Sequence, residues 1–185
     1  FEYYQNNFKR TISAWEVLTK NLNKFLYKQI TFISSNPQIF SIFQGFPYKE
    51  SPTLNHEIVK PFLIHTKNSI CNGNTECYNY VNSWISYILH NPGKKTNTAI
   101  VLIGRQGAGK NLWTNHICKL FGNYSNPNAK MENIVGNFNT GIQDKILIII
   151  NEVGSFKQFK ESMNNKIKTA ITEDRLDINP KHKDS

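Results

Sequence analysis

Residues 100–113 read Ile-Val-Leu-Ile-Gly-Arg-Gln-Gly-Ala-Gly-Lys-Asn-Leu-Trp, and they limit the possible folds more than any other stretch. The apolar, mostly β-branched run 100–103 predicts a buried strand. Gly104, Arg105, Gln106, Gly107, Ala108, Gly109 and Lys110 follow, and an amphipathic run opens at once with Asn111. Strand, glycine-rich turn and helix in that order are the setting a phosphate-binding loop requires. Glycines let backbone N–H groups close around an anion. The helix start aims the positive end of its dipole at the same anion. Lys110 is placed to reach the β- and γ-phosphates of a nucleotide, and Asn111 stands where Ser or Thr usually holds Mg²⁺. A tight turn with an incidental lysine has no use for three glycines and a lysine at the helix start.

A second apolar run, 146–150, ends directly in Asn151 and Glu152. A parallel sheet brings the carboxyl ends of its strands to one edge, where ligands bind. Run 146–150 is therefore expected to place Asn151 and Glu152 beside the phosphate loop. Hydrolysis of ATP needs a metal on the phosphate oxygens and a group that orients or deprotonates water. Glu152 suits the second role, with Lys110 as the other catalytic residue. Asn151 occupies the place of an Asp that supports Mg²⁺ through water. With Asn111 and Asn151 both neutral amides, weak hydrolysis stands as an alternative to efficient turnover.

The formal charge of +9 suggests an anionic partner, most often nucleic acid. Three cysteines are too few and too scattered for a disulfide framework, and Cys71 and Cys77 with His65 fit no common zinc spacing. No apolar run approaches the ~18 residues of a membrane span. No signal peptide is visible, an intracellular site is expected, and the absence of an initiator Met suggests a piece of a longer protein.

Residues 12–27 have helical spacing, and 29–33 alternate as a strand does. Residues 56–70 predict a helix that starts at Pro61 or is kinked there. Asn72-Gly-Asn74 is a turn, and Thr75 is the expected cap of a second helix that stops at Asn91-Pro92-Gly93. The basic pair Lys94 and Lys95 marks the expected domain boundary. It divides a largely helical region, 1–92, from an ATPase core, 93–185. The helix after the phosphate loop is expected to end at Gly122. Residues 123–143 read as loop, and 156–171 as a helix.

Taken together, Gly104-Arg-Gln-Gly-Ala-Gly-Lys-Asn111, Gly136-Asn-Phe-Asn139, Lys145-Ile-Leu-Ile-Ile-Ile-Asn-Glu152, Lys168-Thr-Ala-Ile-Thr172 and Ile178-Asn-Pro-Lys181 resemble the superfamily 3 helicases. The similarity is to the primase-associated branch of poxviruses, giant viruses and phages. Phe43-Gln-Gly-Phe46, Cys71-Asn-Gly-Asn74 and the helix with Trp84 resemble the segment before the ATPase core in that branch.

The resemblance implies an α/β fold, a P-loop AAA+-like ATPase core with a parallel sheet. It implies ATP and Mg²⁺ as cofactors, single-stranded and forked DNA as partners, a homo-hexamer, and a primase or polymerase in the same replication complex. It maps a channel hairpin onto 175–183, with Lys181 and Lys183 as DNA contacts and His182 beside them. It places a sensor strand and an arginine finger beyond Ser185. The function expected is ATP-driven unwinding of DNA in viral or mobile-element replication. The alternative is a nucleotide-dependent replication scaffold or helicase loader.

Overall fold

The structure is a computed structural model that describes residues 2–5, 8–11, 27–49, 51–53, 55–136, 139–151, 161–173 and 176–179. The chain forms two compact units, Phe1–Ile42 and Phe43–Ser185. In the first, strands β1 (Glu2–Gln5) and β2 (Phe8–Thr11) pair antiparallel. Strands β3 (Gln29–Thr31) and β4 (Ile39–Ser41) pair parallel. Their short connection is held by local bonds: the Asn36 N–H donates to Ser34 Oγ, and the Gln38 N–H to Asn36 Oδ1. The helix expected over 12–27 falls almost wholly outside the described residues.

The second unit carries helices α1 (His56–His65), α2 (Thr75–His90) and α3 (Lys110–Phe121). Then come β5 (Ser125–Ala129), the one-turn helix α4 (Glu132–Val135), β6 (Leu147–Ile150) and α5 (Glu161–Thr172). Helix α1 starts at His56 despite Pro61, because Asn55 Oδ1 accepts from the N–H groups of Glu57 and Ile58. Its end departs from the expectation: residues Thr66–Ile70 form a π-helical turn. The cap of α2 is Asn74, whose side chain accepts from the Cys77 N–H, so Thr75 is the first helical residue and not the cap.

Strand β6 lies between two cores. Ile146, Leu147 and Ile149 pack with Val81, Ile85 and Ile88 of α2 and with Trp113, Ile117 and Phe121 of α3. Ile148 and Ile150 pack with Ala129, Ile134, Val135 and, from α5, Ile167 and Ala170. A strand covered on both faces reads as an unbroken apolar run, which is why it is visible in the sequence. Its parallel partner β5 reads Ser-Asn-Pro-Asn-Ala and lies in the stretch expected to be loop.

Residues 100–103 do not form the expected strand. Ile100 and Leu102 pack on the first core, while Val101 is 64% exposed and Ile103 93% exposed. The alternation is that of a strand, but among the described residues none supplies a ladder partner. Side-chain pattern is local, whereas a ladder needs a second strand.

The division at Ile42 also differs from the boundary expected at 92–93. Helices α2 and α3 share one core across that point. Lys95, expected in a linker, donates from Nζ to the carbonyls of Ala170 and Glu173 and so caps the C-terminus of α5. Among the described residues no helix is long and apolar enough to cross a membrane.

Candidate phosphate-binding site

The glycine loop joins the run 100–103, which is not a strand here, directly to the start of α3. Gly107 and Gly109 adopt φ of 82° and 78°, in the left-handed region that a side chain would strain. Gly109 is also the N-cap of α3, and no side chain caps this helix. Helices α1 and α2 each spend an asparagine on their first N–H groups, whereas no side chain caps the first turn of α3.

Lys110 folds back over the loop. Its Nζ donates to the carbonyls of Gly104 and Arg105, each at 2.8 Å. An ammonium has three hydrogens, so this leaves one for a further acceptor while the charge stays at the mouth of the loop. Arg105, Gln106, Gly107 and Ala108 are exposed, and the Ala108 N–H reaches the Arg105 carbonyl at 3.4 Å. Asn111 is exposed on the first turn of α3, and its carbonyl accepts from Thr114 Oγ1.

The back of α3 is anchored. The indole Nε1 of Trp113 donates to Thr66 Oγ1 at 2.9 Å, and that hydroxyl donates to the Phe62 carbonyl at 2.8 Å. At the other end Phe121 is fully buried against Phe46, with ring centroids 5.6 Å apart. Phe43 and Phe46 pack on Tyr124, whose hydroxyl accepts from the Gln44 N–H. The Phe43-to-Phe46 segment thus clamps the end of the helix whose start carries Lys110.

Asn151 follows β6. Its Nδ2 donates to the Pro127 carbonyl at 3.1 Å and to Asn128 Oδ1 at 2.7 Å. Nδ2 donates in both contacts, and Oδ1 remains an acceptor. Neither Asn128 nor His65, discussed below, stands out in the sequence as a partner of this region. Their contacts join residues 23 and 44 positions apart, and no local pattern encodes them.

Lys110 and Asn151 lie in one compact unit, and among the described residues no hydrogen bond joins the loop to Asn151. Glu152, Lys181, His182 and Lys183 lie outside the described residues. Among those described, no three His, Cys, Asp or Glu side chains cluster as a metal site. The cysteines are free thiols. Burial and a hydrogen bond to the Cys77 thiol push Cys71 up to about 11, and burial raises Cys118, so both buried thiols are poor nucleophiles near neutrality.

Residues 102–185 match a protein family of unknown function, DUF5906. The chain is also 28% identical over 137 residues to a DNA primase-polymerase of Nitratiruptor phage NrS-1, a match that takes in 74% of this chain and 18% of that protein. No solved structure matches the chain.

Proposed function

We propose that this chain carries the nucleotide-driven core of a viral or mobile-element DNA replication protein, an ATP-dependent helicase of superfamily 3 type. The observation that carries this is the loop from Gly104 to Lys110. Two left-handed glycines open a helix with no side-chain cap, and a lysine is folded over the loop carbonyls. Distant kinship to a phage DNA primase-polymerase supports the replication setting.

The fold that goes with this function is a P-loop AAA+-like core. The parallel β5–β6 pair, with β6 packed against helices on both faces, supports it. In this scheme the loop amides and Lys110 hold the phosphates of ATP, and Glu152 activates water. Asn111 and Asn151 would hold Mg²⁺, directly or through water, and the ion would supply charge to the phosphate oxygens. A homo-hexameric ring on single-stranded or forked DNA, with a primase or polymerase alongside, completes the scheme.

The two amides also favour a second reading, a nucleotide-dependent scaffold or helicase loader that hydrolyses weakly. The full-length protein distinguishes the two. Lys110→Ala should weaken binding of a fluorescent ATP analogue by at least about tenfold, the loss of a charge-assisted contact of ~2–4 kcal/mol. Glu152→Gln should leave binding intact and lower turnover ~10²-fold or more. Strand displacement by the wild type supports the helicase, and binding without displacement supports the loader. Unchanged nucleotide affinity in a folded Lys110→Ala variant would remove the site assignment altogether.

A further inference from the structure

We infer that His65 is a positioning residue for the phosphate loop, holding Gly109 in the conformation that presents the loop to a nucleotide; this rests on the phosphate-loop assignment proposed above. His65 is the last residue of α1, half-buried, with Nε2 at 3.3 Å from the Gly109 carbonyl. A carbonyl only accepts, so Nε2 carries the hydrogen. The same carbonyl takes the Trp113 N–H at 3.0 Å, the first backbone bond of α3.

The ring also fills the space a side chain at Gly109 would need. A Cβ there would stand 2.5 Å from Cε1 and 2.8 Å from Nε2 of His65. His65 therefore touches the one residue that is both the last of the loop and the cap of the helix. Its neighbours extend the contact along α3. Thr66 takes the Trp113 indole, and the Phe62 ring lies 6.0 Å from that of His116. Residues 62, 65 and 66 of one helical turn thus meet 109, 113 and 116 on successive turns of the other. Directly after this contact the chain enters the π-helical turn, a distortion often found at functional sites.

The consequence is pre-organisation. A glycine at φ 78° has many other conformations open to it, and ordering it on nucleotide binding would cost affinity. A fixed hydrogen bond and a filled Cβ space remove that cost beforehand.

The test uses the full-length protein, affinity for a fluorescent ATP analogue, and thermal melts. Gln can place an amide donor near the reach of Nε2, while Leu keeps bulk without a donor. With Lys110→Ala at least tenfold weaker than wild type, His65→Leu should bind roughly three- to tenfold more weakly. His65→Gln should stay within about twofold of wild type. Wild-type affinity in His65→Leu overturns the inference, and so does an equal loss in Gln and Leu, which marks a role for bulk alone. If His65→Leu does not fold, Gly109→Ala with and without His65→Ala decides. The second change should recover part of the loss from the first, and simple additivity overturns the contact. If wild type and Lys110→Ala bind alike, residues 104–110 are not a phosphate loop and His65 has nothing to position.

Discussion

At the scale of one residue, Asn151 shows why a family pattern cannot be copied onto a local environment. The resemblance drawn from the sequence places an acid at the end of this strand, and Asp differs from Asn by one group. Here that group is the donor. Nδ2 gives its hydrogens to the Pro127 carbonyl and to Asn128 Oδ1, so an ionised Asp would face two oxygens with no hydrogen between them. Asn128 can turn its own amide to donate, but the Pro127 carbonyl cannot. We expect Asn151→Asp to destabilise the fold by ~1–3 kcal/mol, the scale for stranding a partly buried polar group. The deficit should shrink as the pH falls towards about 4, where a protonated Asp regains a donor. Urea unfolding at neutral and acid pH measures both effects. An unchanged midpoint at neutral pH would mean that the amide makes no net contribution through these bonds. The glycine spacing and Lys110 are legible in the sequence because they are local. The orientation of Asn151 is not, because it depends on a side chain from another strand.

At the scale of elements, the π-helical turn that follows α1 is joined to α3 by a buried polar contact. Thr66 is fully buried and Trp113 is 4% exposed. Thr66→Val keeps the shape and removes the only acceptor of the Trp113 indole N–H among the described residues. The expected cost is ~1–3 kcal/mol, read from urea unfolding. Combined with Trp113→Phe, the loss should be smaller than the sum of the two single changes, since the second mutation removes the stranded donor. Strict additivity would show that the hydrogen bond contributes nothing. The elements also mark where sequence patterns succeed. Helices α2 and α3 follow apolar periodicity and end on Asn91 and Gly122, although the cap of α2 is one residue earlier than expected, whereas α1 runs into the π-helical turn at Thr66. Strand β6 is legible because both its faces are buried. Strand β5 is not: Ser-Asn-Pro-Asn-Ala has no β-branched residue and contains a proline. It is a strand because β6 pairs with it, and its ladder is irregular between Asn126 and Ala129, where the proline sits. The run 100–103 fails in the opposite direction, with strand alternation and no partner strand among the described residues.

At the scale of the whole molecule, a formal charge of +9 is suited to steering an anionic partner such as nucleic acid. The basic residues proposed for it, Lys181 and Lys183 with His182, follow a segment whose start the structure does describe. Residues 176–179 run without regular structure and are gripped by Asn139. Its Nδ2 donates to the Asp177 carbonyl at 2.7 Å, and its Oδ1 accepts from the Asn179 N–H at 2.8 Å. Asn139 thus mimics a strand partner and fixes the chain two residues before Lys181. A lysine that contacts DNA from such a segment would meet phosphates as a point charge and read no base. Lys181→Ala with Lys183→Ala should therefore weaken single-stranded DNA binding about equally for all sequences. Each lost phosphate contact should flatten the log–log salt dependence by roughly 0.7. ATP binding should not change, because Lys110 and the loop amides are untouched. The measurement is DNA affinity of the full-length protein over a salt series, with nucleotide affinity as the control. An unaltered slope would make these lysines ordinary solvated charges and move the search for the DNA contact to the basic residues before Lys95.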